Sequence, residues 1–231
     1  MDLTYSFDNT TVFWPTASDF KLTVDFAGTT ESGYYYEANT FALAEHGGTH
    51  IDAPIHFAEG RQSVDQISLN NLMGNGIVVD ISEPALQNRD YLLSVDDLEE
   101  WESSNGSIME GTIVLVRTGY GRYWPDREKY MGTAERGAEA VADLHFPGIH
   151  PDAAAWLAEK NVKAVGIDTP SIDYGQSKDF KAHQTLYLKN IPGFENVANL
   201  DQLPEKGFTI IALPMKINNG SGGPLRIIAA M

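Results

Sequence analysis

His46-Gly47-Gly48-Thr49-His50-Ile51-Asp52-Ala53-Pro54-Ile55-His56 is the stretch from which the rest of the chain is read. The protein has six histidines in 231 residues: His46, His50, His56, His145, His150 and His183. Random placement would put about 0.3 of them in an eleven-residue window (6 × 11/231). Three fall here, with an aspartate among them. His46 and His50 have the spacing of one helix face, but Gly47, Gly48 and Pro54 argue against a helix. A glycine turn followed by extended chain is the better reading. In extended chain His50 and Asp52 point to the same side, and His46 folds back over them across the turn. Two imidazole nitrogens and a carboxylate oxygen then converge, a set suited to Zn²⁺, Mn²⁺ or Fe²⁺. Three protein ligands leave room for water, as catalytic metal sites do. His56, past the proline, falls beside that water without being a ligand.

The flanking sequence reads as strands first, then strands alternating with helices. Phe20–Phe26 and Tyr34–Leu43 are rich in Tyr, Phe, Thr and Val; Gly28 closes the first and Gly33 precedes the second. Apolar runs at 76–82, 112–117, 162–167, 208–213 and 225–228 show little alternation, which predicts strands covered on both faces. Ser94-Val-Asp-Asp97 is a capping arrangement opening a helix through Trp101. Pro151–Lys160 begins with a proline whose missing N–H costs nothing there, and Asn161 supplies the stop. Lys129–Leu144 also suits a helix, and 218–223 reads as a flexible loop. The expectation is an α/β fold of mixed sheets with flanking helices. A single domain spans residues 1–231, with residues 1–19 as a candidate N-terminal arm.

Composition narrows the function. Sixteen basic against 32 acidic side chains give a formal net charge of −16. That field repels phosphates and excludes a nucleic-acid binder, for which no basic stripe is present. The absence of cysteine removes thiol nucleophiles, disulfides and Cys-type zinc sites. No apolar run approaches the roughly 18–20 residues of a membrane span, and Met1–Ser6 lacks the pattern of a signal peptide. A cytoplasmic location is expected, with a removed leader as the alternative.

His46–His56 resembles the hallmark of the cyclase family, H-x-G-T-H-x-D-x-P-x-H, at every fixed position. The resemblance continues at 166–173, 182–184, 191–200 and 212–216, at Pro224-Leu225-Arg226, and at Trp14-Pro15. It implies a swivelling β/β/α fold, a metal-dependent hydrolase and a homodimer or higher assembly. It also implies that His46, His50 and Asp52 hold the main metal and that His56 is the catalytic acid/base. In the two-metal branch, the arylformamidases, Asp52 would bridge to a second metal on His183 and Glu195. The isatin hydrolase branch is thought to use one Mn²⁺, with Gln184 nearer the site. Phe146-Pro-Gly148 and Pro192–Asn199 look more like that branch.

The expected chemistry is hydrolysis of an amide or lactam C–N bond in a small aromatic substrate. A divalent ion, Mn²⁺ or Zn²⁺, one or two per chain, lowers the pKa of water and polarises a carbonyl. His56, or Glu195 in a one-metal site, would move the proton to the leaving nitrogen. Phe13, Trp14 and Trp124 are candidates for the substrate slot, with core or interface packing as the alternative. His145 and His150 match no motif and read as structural or surface residues. A serine hydrolase would need a G-x-S-x-G elbow, which is absent; Ser221 sits in a glycine loop with no helix after it. A non-catalytic metal-binding protein on the same fold would be expected to have lost part of the histidine set.

Overall fold

The computed structural model describes residues 1–231. Eleven strands and five α-helices follow one another in mixed order. The strands are β1 Lys21–Thr29, β2 Tyr35–Ala42, β3 His50–Asp52, β4 Met73–Asp80, β5 Leu92–Leu93, β6 Ile113–Arg117, β7 Gly148–Ile149, β8 Ala164–Ile167, β9 Gly193–Glu195, β10 Lys206–Pro214 and β11 Gly222–Ala230. The helices are α1 Ser82–Gln87, α2 Val95–Asn105, α3 Arg127–Met131, α4 Pro151–Glu159 and α5 Lys181–Tyr187. The expected α/β fold with mixed sheets is what forms, and its main sheet closes into a barrel.

The barrel order is β10-β11-β3-β9-β8-β6-β4. Strands β4, β6, β8 and β9 run parallel in sequence across the sheet, and the remaining pairs are antiparallel. Three of these parallel strands, β4, β6 and β8, carry unbroken apolar runs, because both of their faces are covered. Val78, Leu115 and Phe194 pack inside the barrel with Ile51, Ile210 and Ile227. Val79, Val116 and Ile167 face outward onto Leu98, Leu157 and Leu186 of helices α2, α4 and α5. Each such side chain contributes roughly 1.5–3 kcal/mol on burial. Strands β10 and β11 differ from expectation. Their burial alternates, with Phe208, Ile210 and Ala212 inward and Thr209 and Leu213 exposed, because no helix covers their outer face.

The two signalled helices form. Ser94 accepts the Asp97 N–H and the Asp97 carboxylate accepts the Ser94 N–H at 2.7 Å, closing a capping box at the start of α2. At α4 the cap is His150, whose Nδ1 accepts the Asp152 N–H at 3.1 Å. Asn161 ends that region at φ 54. The helix expected over Lys129–Leu144 does not form. Helix α3 stops at Met131 and only a short 3₁₀ turn follows at Glu139–Asp143. Gly132 and Gly137 take φ of 98° and 93°, which breaks a right-handed helix. Two smaller expectations also fail. Gly28 lies within β1, and the 218–223 loop is anchored, since β11 begins at Gly222 and the Ser221 N–H donates to Glu45.

Strands β1 and β2 stand apart as a two-stranded hairpin. The N-terminal segment lies along β11, where the Leu3 N–H donates to the Ile227 carbonyl at 2.9 Å. Further on, Phe13 pairs with Gly47 beside the histidine cluster.

Candidate active site

The register of the short strand β3 builds the site. His50 lies directly across from Glu195 on β9, and Asp52 across from Gly193. Directly opposed residues share a face, so His50, Asp52 and Glu195 point together. On the other side Asp52 faces Gly222 of β11. A Cβ at Gly222 would lie 2.6 Å from the His46 ring, so the glycine makes room for that imidazole to fold back. His46 then comes within 2.7 Å of Asp52 Oδ1 through its Nδ1. The glycine turn and extended strand expected from the sequence are both present.

Helix α5 brings in the second half. His183 and Tyr187 are four residues apart and share one helix face. His183 Nε2 lies 3.3 Å from Asp52 Oδ2 and 3.2 Å from Glu195 Oε1. The Tyr187 hydroxyl donates to Asp52 Oδ2 at 3.0 Å. Asp173 fixes the ring from behind, accepting both the His183 backbone N–H and its Nδ1 hydrogen. His50 is held in the same way, its Nδ1 lying 3.0 Å from the Gly48 carbonyl. Each of these bonds assigns the hydrogen to Nδ1 and leaves Nε2 aimed into the cluster.

The result is two overlapping donor sets, His46–His50–Asp52 and Asp52–His183–Glu195, each with ligand atoms within 4.8 Å of one another. His50 Nε2 is buried and has no hydrogen-bond partner, although carboxylate oxygens of Asp52 and Glu195 lie 3.1 and 3.4 Å away. Such an orphan costs about 1–3 kcal/mol unless something satisfies it. A divalent cation with nitrogen and oxygen ligands does so, and it also offsets two buried carboxylates. The donor set therefore fits a divalent metal.

Protons compete with a cation for the same site, and the charges of the cluster show it. Burial alone would raise Asp52, but the surrounding imidazoles of His46, His183 and His50 hold it well below the usual carboxylate range. Burial and the neighbouring Asp52 push Glu195 up, while His183 and His50 outweigh them and lower it. Burial lowers His50, yet Asp52 and Glu195 carry it up to about 10. His183 is raised likewise by Asp173, Asp52 and Glu195 against its burial. The carboxylates are thus ionised and attract positive charge. His56 behaves differently. Burial takes it down to about 4, which leaves the ring neutral at pH 7.

His56 stacks on His46 with ring centroids 3.8 Å apart, and its Nε2 lies 3.9 Å from Asp52 Oδ2. It lines a cavity of about 310 Å³ above the cluster. Phe13 and Trp14 line the same cavity, along with Phe57, Phe180, Pro170 and Ser171. Phe57 packs on Phe180 at 5.1 Å and on His183 at 4.5 Å. The walls are apolar and aromatic, and the polar groups converge at one end.

Two expected substrate residues lie elsewhere. Trp124 stacks flat on Tyr5 at 4.1 Å and meets Tyr130 edge-on, away from the cavity. Gln184 follows His183 by one position, which turns it 100° around the helix, and its amide donates to the Asp179 carbonyl. His145 pairs with Asp90 at 2.9 Å, outside the site.

Residue-level reading missed Phe57, Phe180, Asp173 and Tyr187, and weighed Ser221 only as a nucleophile. Asp173 stood in a motif block, but nothing local assigned it to His183. Ser221 Oγ lies 2.9 Å from His46 Nε2, and its hydroxyl donates to Glu45 at 2.7 Å. A serine nucleophile would have to give that proton to the histidine instead. The serine-hydrolase alternative is not supported by this arrangement.

Comparison with known proteins follows the same line. The model of the Cyclase family, described as "Putative cyclase", matches residues 1–174. The chain is 32% identical to the isatin hydrolase of Roseibium aggregatum, over 96% of this chain and 90% of that one. It is 28% identical to a kynurenine formamidase of Bacillus cereus, over 99% and 95% of the two chains. Among solved structures, isatin hydrolase A from Labrenzia aggregata bound to benzyl benzoate superposes with a TM-score of 0.88 at 32% identity, covering 99% of this chain and 92% of that one. An isatin hydrolase bound to the product analogue thioisatinate also gives 0.88, at 29% identity with 99% and 90% coverage.

Proposed function

The chain belongs to the cyclase family, and from that premise we propose that it is a metal-dependent hydrolase opening the C–N bond of a small aromatic lactam of the isatin type. The observation that carries this reading is the pairing of an aromatic-walled cavity with the orphaned His50 Nε2 that lines it. A planar bicyclic substrate fits between Phe13, Trp14, Phe57 and Phe180 with its carbonyl toward the cluster.

His46, His50 and Asp52 would hold the main divalent ion, Mn²⁺ or Zn²⁺. When bound, that ion supplies a Lewis acid and a water of lowered pKa. The chain's own residues do the rest. Asp173 and Gly48 fix the tautomers of His183 and His50. Tyr187 steadies Asp52. His56, neutral at pH 7 and next to Asp52, takes the proton released by water and returns it to the leaving nitrogen. Glu195 shares that proton work if one ion is bound and becomes a ligand if two are. The working unit is a homodimer, and its partner is a small molecule. The net charge of −16 opposes nucleic acid. No helix is long and apolar enough to cross a membrane.

A second reading is favoured by the second donor set. Asp52, His183 and Glu195 form a second trio that would hold a further ion, which suits a two-metal site and deformylation of N-formylkynurenine. Metal analysis paired with both assays separates the two. One Mn²⁺ per chain with chelator-sensitive isatin opening supports the lactamase reading. Two Zn²⁺ per chain with deformylation supports the formamidase reading. A metal-free protein whose turnover ignores chelation would sink both, and retained metal with no turnover on amides, lactams or esters would leave a binding protein.

A further inference from the structure

The segment that follows β8, Asp168-Thr169-Pro170-Ser171-Ile172-Asp173, is pinned at nearly every residue. Asp168 accepts the Thr118 N–H and the Thr118 hydroxyl, each at 2.7 Å. The Thr169 carbonyl accepts the Asn196 N–H at 2.9 Å, and the Thr169 hydroxyl donates to the Ser171 carbonyl at 2.9 Å. The Ile172 N–H donates to Glu195 Oε1 at 2.8 Å, and Asp173 holds His183.

One group in this segment is left over. Ser171 is 5% exposed and lines the catalytic cavity, and its hydroxyl makes no hydrogen bond within the chain. Unlike His50 Nε2, that hydroxyl is not sealed in, and the surface it keeps opens on the cavity. Beside its aromatic walls and the metal-donor set, the cavity has three polar side chains: His56, Asn196 and Ser171. His56 serves the leaving nitrogen in the reading above. The Asn196 amide is engaged on both sides, its Nδ2 donating to the Gly48 carbonyl at 2.7 Å and its Oδ1 accepting the Tyr130 hydroxyl at 2.8 Å. Ser171 keeps a donor free for a bound molecule.

We propose that Ser171 is a substrate-binding residue that donates its hydroxyl hydrogen to a second carbonyl oxygen of the substrate, on the carbon next to the scissile one. The substrate class is then a vicinal dicarbonyl, a lactam whose amide carbon is bonded to a ketone. Position sets the adjacency. Ser171 precedes by one residue the N–H that Glu195 accepts, about 3.8 Å between Cα atoms. Its hydroxyl therefore stands beside the donor cluster, and a substrate atom in its reach is a bond or two from the carbonyl that meets the cluster. Chemistry sets the atom. The scissile carbonyl goes to the cluster and the nitrogen to His56, which leaves the substituent on the neighbouring ring carbon. A ketone oxygen accepts and does not donate, which matches a hydroxyl free to donate. An unmet hydroxyl at an apolar wall is a cost that a ketone relieves and a methylene does not. The backbone bonds on either side hold the residue in place beforehand, so little is lost in ordering it when the substrate arrives.

The inference rests on the lactam reading and names the group by which that site selects its substrate. The test is calorimetric titration of the metal-loaded protein with two acids that differ at that one carbon. One is 2-(2-aminophenyl)-2-oxoacetate, the acid formed when isatin opens; the other is 2-(2-aminophenyl)acetate, with a methylene in place of the ketone. The wild type is expected to bind the oxo acid more tightly. Ser171→Ala is expected to weaken the oxo acid about tenfold, with the affinity for the other acid and the metal content unchanged. Its kcat/KM for isatin should fall by a similar factor. Ser171→Cys, which keeps the volume but has only a weak donor, should behave as the alanine variant does. Equal weakening of both acids would make Ser171 a structural residue, and unchanged binding of both would leave its hydroxyl to water; either result overturns the inference. A wild type that opens isatin yet binds the two acids equally overturns it and leaves the lactam reading standing. A wild type that does not open isatin overturns the lactam reading and this inference with it.

Discussion

Asp173 grips His183 twice: its Oδ2 accepts the ring Nδ1 hydrogen at 2.6 Å and the backbone N–H of the same residue at 3.1 Å. One carboxylate thus sets the ring's tautomer and ties it to the start of α5. Where a second ion is held by Asp52, His183 and Glu195, Asp173→Ala is expected to lower the affinity for that ion about 10–100-fold, read by competition with a coloured chelator. Asp173→Asn keeps an acceptor for the Nδ1 hydrogen and should recover much of that loss. Equal affinity in all three proteins would show that His183 takes no part in metal binding.

His56 tests the division between holding and reacting. His56→Ala should cut turnover about 10²–10⁴-fold, the usual contribution of a positioned acid/base. Metal content by elemental analysis should stay at the wild-type value. Parallel loss of metal and turnover would make His56 a ligand.

Gly47 lies against the Phe13 ring, and a Cβ there would sit 2.0 Å from Phe13 Cδ1. Gly47→Ala must push Phe13 into the cavity or away from it. The expected result is a KM raised about tenfold, worth ~1.4 kcal/mol, with metal content unchanged. An unaltered KM would remove Phe13 from the substrate wall.

A test of stability lies far from the site. Glu102 accepts from Lys160 Nζ at 2.8 Å and from the Ile108 N–H at 2.6 Å. Burial, the largest single influence, raises its pKa, but the Lys160 ammonium and the Ile108 N–H together outweigh it and lower the pKa below the ordinary value. A folded pKa below the unfolded one stabilises above the unfolded pKa and is lost as pH falls through the folded one. Glu102→Gln should therefore cost about 1 kcal/mol at pH 7. The difference from wild type should shrink below the ordinary glutamate pKa, about 4.3. Urea melts at the two pH values measure it, and a gap constant with pH would contradict the assignment.

Local sequence carried the first half of the site because it is contiguous. Two glycines and a proline excluded a helix, and strand alternation then put His50 and Asp52 on one side. Strands β4, β6 and β8 were equally legible, since burial on both faces leaves an unbroken apolar run. The failures share a cause. Lys129–Leu144 has helical composition, but Gly132 packs against the His145 backbone, and that contact is tertiary. Trp124 and Gln184 are the right residue types, and one stacks on Tyr5 while the other turns off the His183 face.

The chain by itself determined which groups could meet a metal, because ligand types, glycines and alternation act over a few residues. Only the tertiary structure decided that they do meet, and which others join them. Closure of the barrel sets His50 opposite Glu195, 145 positions later, and helix α5 delivers His183 and Tyr187 to Asp52. Those encounters depend on strand register and helix docking, where a shift of one residue turns a strand side chain to the opposite face and a helix side chain 100° off its target.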